Sequence, residues 1–402
     1  MNRGPWSLDP EVTFLSHGTF GACPEPVVAA QAEWRARIER EPIAFLGRGL
    51  DAAMVDARTQ VGAFLGADPD DLAFVANATT GINTILRSLE FQPGDELLTT
   101  DHDYNAVVNA MAFAASRDGA RVVLAHVPLT PGGPAAVAEA ILAAATPRTR
   151  LAVISHVTSP TALVFPIADI VRELGARGID TLVDAAHAPG MVPIDISALG
   201  AAYWTGNAHK WLCAPKGAAV LHVRRDRQAH VRPLVISHGA NDARTDRSRF
   251  RLEFDWTGTS DPTPFLSIPA AIGFVEGLAP GGWPEVMASN RALVLAGRQA
   301  VASRLGVEPG AGDALVGAMA AVPLPIPLGG GDAAAEELRR QLFDEDRIEV
   351  PVHGWPVLAA REPGAAPFGV VIRISAQWYN ELSDYERLAD ALAARLPAMT
   401  PR

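Results

Sequence analysis

Between about residue 50 and residue 223 the apolar positions alternate between two spacings. In residues 51–65, Met54, Val55, Val61, Phe64 and Leu65 recur at helical intervals, and Gly66 suits the stop. Short apolar runs follow at 72–76, 96–99, 121–127, 151–155, 181–183 and 201–204, each succeeded by a helix-spaced stretch. A seventh run, 217–223, is rich in small and β-branched residues. This alternation predicts an α/β fold: a mostly parallel seven-stranded sheet with helices on both faces. Ligands of such sheets collect beyond the carboxyl ends of the strands, so the polar residues just after each run carry the interest.

Past residue 270 the pattern changes. Helical stretches at 285–305 and 333–343, strand-like 348–351 and 369–374, and an amphipathic stretch at 383–396 predict a smaller C-terminal α+β domain. Residues 241–255, charged and weakly periodic, read as a surface loop, and 324–331 as a Pro/Gly-rich turn region. A chain of 402 residues exceeds what one core usually serves. The expected division is an N-terminal segment (1–30) contributing to a lid or to the small domain, a large domain (31–270) and a small one (271–402).

Composition narrows the function classes. The chain is 49% hydrophobic and 20% charged, ordinary for a globular protein. Its net charge of −11 is spread among interspersed charges without a Lys/Arg block, which argues against nucleic acid as a partner. No apolar run approaches the ~20 residues of a membrane span, and residues 1–10 lack the features of a signal peptide. Two cysteines make no disulfide framework. A cytoplasmic protein is expected, with no metal site. Its only lysines are Lys210 and Lys216, so amine chemistry has two candidates.

Four run ends carry suitable groups. Thr79, Thr80 and Gly81 sit at a helix start, where free N–H groups and the dipole favour an anion such as phosphate; threonine capping is the alternative. Asp184 ends the 181–183 run, and a buried carboxylate there needs a cationic partner. A protonated pyridine nitrogen is one, and keeping it protonated makes its ring an electron sink. His187 can reach the phenolic oxygen of the same ring; a capping aspartate and a packed histidine are the alternatives. Lys210 follows the 201–204 run between His209 and Trp211, where apolar surroundings disfavour its charged form and promote imine chemistry. An exposed lysine is the alternative, and Lys216, in a Pro-Lys-Gly turn, is the weaker candidate. Asn207 and His209 can add donors to a phosphate. Arg373 is embedded in a strand, and its planar fork fits a substrate α-carboxylate unless a structural ion pair claims it.

Further segments are less specific. Tyr104 can stack on a cofactor ring, Thr259 can donate to a phosphate across a subunit interface, and His17 and Asn105 are pocket candidates. Trp6, Trp34, Trp211, Trp378 and Tyr379 hint at an aromatic-lined pocket, with core packing as the alternative.

In this order, Ser16-His-Gly-Thr-Phe-Gly, Ala78-Thr-Thr-Gly-Ile-Asn, Ser155-His-Val-Thr-Ser-Pro-Thr, Asp184-Ala-Ala-His-Ala-Pro-Gly, Gly206-Asn-Ala-His-Lys-Trp-Leu and Arg373-Ile-Ser-Ala resemble the class V aminotransferase family of fold-type I pyridoxal-phosphate enzymes. The nearest subgroup is the isopenicillin N epimerase-like proteins. The resemblance covers residues 14 to about 390. It implies a pyridoxal 5'-phosphate cofactor, an amino-acid substrate, a homodimer with shared active sites and a place in bacterial secondary metabolism. It implies Lys210 as the Schiff-base lysine, Asp184 as the partner of the pyridine nitrogen and His187 beside the phenolic oxygen. It further implies Thr79, Thr80, Asn207 and His209 as phosphate ligands, Thr259 as the one supplied by the other subunit, and Arg373 as the carboxylate-binding arginine. Tyr104 or Asn105 falls at the ring-stacking position, and His17 lies on a lid-like segment. Ala185 and Ala162 replace usual glycines, and Ser159 stands where cysteine desulfurases carry asparagine. The C-terminal third has no cysteine, so a desulfurase, which needs a mobile thiol, is not expected.

The expected chemistry begins with the substrate amine displacing Lys210 to form an external aldimine, after which the freed amine removes the α-proton. Reprotonation from the opposite face gives epimerisation or racemisation, the reading favoured by the subgroup. It requires a second acid, with Cys213 and Tyr104 as candidates. Loss of a β-substituent gives C–S lyase activity, and reprotonation on the cofactor gives transamination. A non-catalytic scaffold that kept the fold is the remaining alternative.

Overall fold

The computed structural model describes residues 4–325, 331–356 and 369–396. Most of the Pro/Gly-rich stretch 324–331 lies outside the described residues. The short N-terminal strand β1 (Thr13–Phe14) precedes the strands of the main sheet: β2 (Leu72–Val75), β3 (Glu96–Thr100), β4 (Arg121–Ala125), β5 (Thr149–Ser155), β6 (Asp180–Asp184), β7 (Tyr203–Asn207) and β8 (Ala219–Val223). They lie in the order β2-β8-β7-β6-β5-β3-β4. Pairing is parallel from β7 through β6, β5 and β3 to β4, and β8 runs against both of its neighbours. All seven expected strands are present.

Burial on both faces explains why these strands read as unbroken apolar runs. Every residue of β2, β3, β7 and β8 is buried, and β5 and β6 each have one residue that is not. Four parallel-paired strand ends, β3, β5, β6 and β7, therefore deliver their following residues to one edge of the sheet.

The remaining strands are β9 (Met319–Leu324), β10 (Ile348–Glu349), β11 (Val352–Trp355) and β12 (Gly369–Ser375). β12 lies between β11 and β9 in an antiparallel sheet, with Arg373 opposite Ala321. β1 pairs in parallel with β10, tying the N-terminal segment to the C-terminal part of the chain. The helix Gly282–Leu305 contributes Trp283 and Val286 to a core that takes in alternate buried residues of the main sheet, such as Ala152, Ile154 and Trp204, and Val294 and Val301 to a second core beneath the smaller sheet.

One expected loop is corrected. Residues 241–255 contain the helix Arg249–Phe254, whose Phe250, Leu252 and Phe254 are buried. Ser248 caps it by accepting from the Arg251 amide (3.2 Å), and Phe250 and Phe254 pack with ring centroids 4.6 Å apart. Charged Arg251 and Glu253, buried between them, hid the apolar periodicity.

Candidate active site

A cavity of about 820 Å³ opens at the carboxyl edge of the main sheet, in the range of small-molecule sites. Its walls include Thr79, Tyr104, Ser159, Asp184, His187, Asn207, His209, Lys210 and Arg373. Segments from five run ends and from the smaller sheet meet there.

Lys210 lies three residues beyond β7. Its Nζ is 3.0 Å from His187 Nε2, and the Trp211 indole N–H donates to His187 Nδ1 at 3.5 Å. With the indole donor on Nδ1, the neutral imidazole carries its hydrogen on Nε2 and donates to the unprotonated form of the Lys210 amine. Electrostatics agree. Burial, reinforced by the Arg373 charge, pushes the Lys210 amine well below the usual lysine range. Burial holds His187 well below its usual value, so its ring is neutral.

Asp184 is the last residue of β6 and is buried. One oxygen accepts from the Ala186 amide at 2.9 Å. Among the described residues no cation lies within ion-pair distance. Burial, with the neighbouring Asp103 adding to it, pushes this carboxyl up. Such a group awaits a positive charge or a proton.

The helix Ala78–Ser88 brings its N-terminus to the cavity, but its cap is Asn77 and not a threonine. Asn77 Oδ1 accepts from the Thr80 amide (2.8 Å) and hydroxyl (3.1 Å). Asn207, at the end of β7, accepts from the Ala78 amide at 2.8 Å and so fixes the helix start against the sheet. The Thr79 amide and hydroxyl donate to no described residue, so they remain free to meet a ligand oxygen in the cavity that Thr79 lines. His209 donates from Nδ1 to the Ala218 carbonyl (3.1 Å), and burial lowers its pKa to about 4.

Arg373, on β12, is buried, and its pKa falls only to about 10 through burial, so it stays charged at neutral pH. It donates to the Ser159 hydroxyl (3.2 Å) and carbonyl and to Thr19 Oγ1 (2.9 Å), and its buried Nε has no partner. No carboxylate among the described residues pairs with it.

Several expected site residues are placed elsewhere. Gly81 lies behind the helix start, where a Cβ would collide with Thr205 Oγ1; it serves close packing on β7. Thr80 points to a second cavity of about 430 Å³, which is also lined by Trp256 and Thr257. Tyr104 lines the Lys210 cavity, whereas Asn105 opens the next helix and does not. Thr259 is exposed and lines neither cavity. His17 is fully buried behind Lys210 and does not line the cavity. Nor do Trp6, Trp34, Trp211, Trp378 or Tyr379; Phe20 and Tyr104 are the aromatic residues that do. Cys213 is also absent from the wall. Burial pushes its thiol far up, so it is no acid for the cavity.

The sequence reading missed Asn77, Thr19, Ser155 and His353. Asn77 carried a signal, since asparagine before a helix is a favoured cap. His353, on β11, lines the cavity with a buried, unpartnered Nε2, and burial lowers its pKa to about 3. Nothing local in the sequence sets it or Thr19 apart.

The donors present fit a phosphorylated pyridine aldehyde. A free amine, a carboxylate short of a cation, a helix start with unused donors and an unpaired guanidinium share one cavity. The profile of the aminotransferase class-V family matches residues 21–276. The chain belongs to the class V aminotransferase family. Members of this family are pyridoxal-phosphate enzymes, and this chain is one. It is 37% identical to isopenicillin N epimerase of Amycolatopsis lactamdurans, over 96% of each chain. It is 30% identical to a probable chloroplastic L-cysteine desulfhydrase of Arabidopsis thaliana, over 96% of this chain and 83% of that one. A cystine C–S lyase solved with its product cysteine persulfide superposes with a TM-score of 0.80 at 20% identity, over 96% of this chain and 99% of that one, and attests the fold.

Proposed function

We propose that this class V enzyme acts at the α-carbon of an amino acid and epimerises or racemises it, with Lys210 as the residue that moves the α-proton. The observation that carries the reading is the buried amine of Lys210, held below the usual lysine range and 3.0 Å from His187, in a cavity that also holds Arg373, which pairs with no carboxylate among the described residues. Arg373, aided by Ser159 and Thr19, binds the substrate α-carboxylate in a bidentate pair. Asp184 holds positive charge at the inner wall, and Thr79, Asn207 and His209 take the phosphate. Pyridoxal phosphate bound there supplies an electron sink for charge developing at the α-carbon. Lys210 Nζ removes the α-proton on its own face. Of the two residues considered as second acid, only Tyr104 lines the cavity, so it is the one assigned to return a proton on the opposite face.

The similarity to isopenicillin N epimerases favours epimerisation. The similarity to L-cysteine desulfhydrases supports the second reading, C–S β-elimination from cysteine or an S-conjugate. We also infer a homodimer. The second cavity lies beside the first, sharing Ala76 and Gly217 with it, and Leu234 and Val235 line it while exposed. Among the described residues no helix is long and apolar enough to cross a membrane.

Incubation with L-amino acids and cysteine S-conjugates in D2O separates the outcomes. Deuterium at Cα in both enantiomers is the expected result. Pyruvate with a free thiol establishes elimination instead, and net accumulation of the amine form of the cofactor establishes transamination. Lys210→Ala abolishes every one of these activities while Lys216→Ala retains them; activity surviving in Lys210→Ala refutes the assignment.

A further inference from the structure

Against the main chain of Lys210, His17 sits in a buried cluster that does not line the cavity and that the reaction does not use. Its Nδ1 is 2.8 Å from Tyr379 Oη, and its Nε2 is 3.1 Å from the carbonyl oxygen of Lys210. Gln377 closes the cluster. Its Oε1 accepts from Asn290 Nδ2 (3.0 Å) and from the Trp378 amide (2.8 Å), so two donors fix which end is oxygen. Its Nε2 then stands 3.2 Å from His17 Nε2 and 3.7 Å from Cys213 Sγ.

One proton arrangement suits the contacts with Lys210 and Tyr379, and it leaves the Gln377 amide beside His17 Nε2 as a close approach of two donors and not as a hydrogen bond. A carbonyl only accepts, so the contact with Lys210 requires hydrogen on His17 Nε2. The neutral ring then has a bare Nδ1, which accepts from the Tyr379 hydroxyl, and the Gln377 amide donates to the Cys213 sulfur. The opposite tautomer sets a lone pair against the Lys210 carbonyl oxygen. Burial lowers the His17 pKa to about 3, which keeps the ring neutral.

The main chain around Lys210 is held from other directions too. A Cβ at Gly21 (φ 72°) would collide with the His209 carbonyl oxygen and stand 2.9 Å from Lys210 Cα, so residues 17–21 touch the lysine backbone at two points. Cys213 adopts φ 61°, a left-handed conformation that a residue with a side chain adopts at a cost, and its amide donates to the Lys210 carbonyl at 3.0 Å. Tyr379 and Gln377 follow directly after β12.

We propose that His17 is a positioning residue: a neutral strut running from Tyr379 to the Lys210 carbonyl, which fixes the lysine main chain so that Nζ reaches His187 and the cavity. The strut rests on Lys210 being the cofactor lysine and is independent of which reaction follows. It touches neither substrate nor cofactor and acts through the peptide.

The test strips the cofactor from the protein, returns pyridoxal phosphate, and follows capture by the rise of visible absorbance. Borohydride reduction and peptide mapping then locate the label. Loss of alignment at a reacting group costs one to two orders of magnitude. In His17→Ala, capture at Lys210 and kcat are therefore each expected to fall about tenfold or more, with KM changed less than about threefold. His17→Gln, which retains an N–H for the carbonyl, recovers a large part of both, and Tyr379→Phe falls in between. Wild-type capture in a soluble His17→Ala protein overturns the strut, as does a His17→Gln protein no better than His17→Ala when both melt like wild type. If His17→Ala does not fold, Tyr379→Phe decides alone, and unchanged capture by it overturns the proposal. Label on Lys216, or on no lysine, overturns the site assignment and the strut together; label on Lys210 at a rate indifferent to residue 17 overturns the strut alone.

Discussion

Two buried aspartates stand at neighbouring places on the same sheet edge and differ in how fully they are bonded. Asp103, after β3, accepts from Thr99 Oγ1 (2.8 Å), the Thr100 amide (2.9 Å) and hydroxyl (2.7 Å), and the Ser155 amide (2.9 Å) and hydroxyl (2.5 Å). Asp184, whose strand partner is Ser155, accepts from the Ala186 amide. Five donors make Asp103 part of the framework, and its charge helps to push the Asp184 carboxyl up. A buried carboxylate left with a single donor is expensive unless something else arrives to pair with it. The same contrast separates the arginines. Buried Arg58 meets Asp255 at 2.5 Å, whereas Arg373 meets hydroxyl and carbonyl oxygens and, among the described residues, no carboxylate. Burial alone does not mark a functional charge; Asp184 and Arg373 are set apart by the partner each lacks among the described residues, further donors for the aspartate and a carboxylate for the arginine.

The sharpest way to break this comparison is to neutralise both aspartates. Asp184→Asn is expected to lower kcat by about 10²–10³-fold with the fold intact, since a preorganised charge at the reacting group is lost. Asp103→Asn should instead cost about 2–4 kcal/mol of stability in a denaturant titration, because an amide N–H would face the Thr100 amide and leave it unpaired. Folded Asp103→Asn protein should turn over near the wild-type rate. Exchange of these two phenotypes would end the distinction. Arg373→Lys, which keeps charge but loses the fork, is expected to lower kcat/KM for amino acids by about 30-fold. Reaction of the corresponding amines, lacking the carboxylate, should be unchanged, and an equal loss for both would make Arg373 structural.

The smallest effect concerns pH. With the folded pKa of Asp184 raised above the usual ~3.9, folding takes up a proton. The associated stability is present in acid and is lost as pH rises through the raised value. In cofactor-free protein, Asp184→Asn should match wild type near pH 4 and exceed it by about 1–2 kcal/mol at pH 7. A difference of the opposite sign would mean that the carboxylate is already paired.

The main sheet was legible because its strands are covered on both faces and so appear as uninterrupted apolar runs. Asp184 and Arg373 were legible for a related reason, since each ends or interrupts such a run with a charge, and Lys210 because it is one of two lysines and follows shortly after such a run. The expected residues that do not line the cavity cluster where side-chain direction decides. Thr79 faces the cavity, while Thr80 and Gly81 do not, because successive helical residues turn by about 100°. Tyr104 and Asn105 divide in the same way. His17 was placed in the pocket from its neighbours, yet Ser16, Gly18 and Thr19 line the wall and its ring points behind it. Thr19 and His353 reach the site through long-range pairings of β1 and β11, which no local pattern reports.

The pairing of β1 with β10 also has a bearing on biogenesis. β1 takes its partner from β10, more than three hundred residues further along the chain, so the wall holding Thr19 and Phe20 cannot close in this way until β10 has been made. A nascent chain halted before β10 would carry Lys210 and Asp184 without that wall. Vitamin loading during translation would meet an open shelf, and only the arrival of β10 would turn it into a chamber.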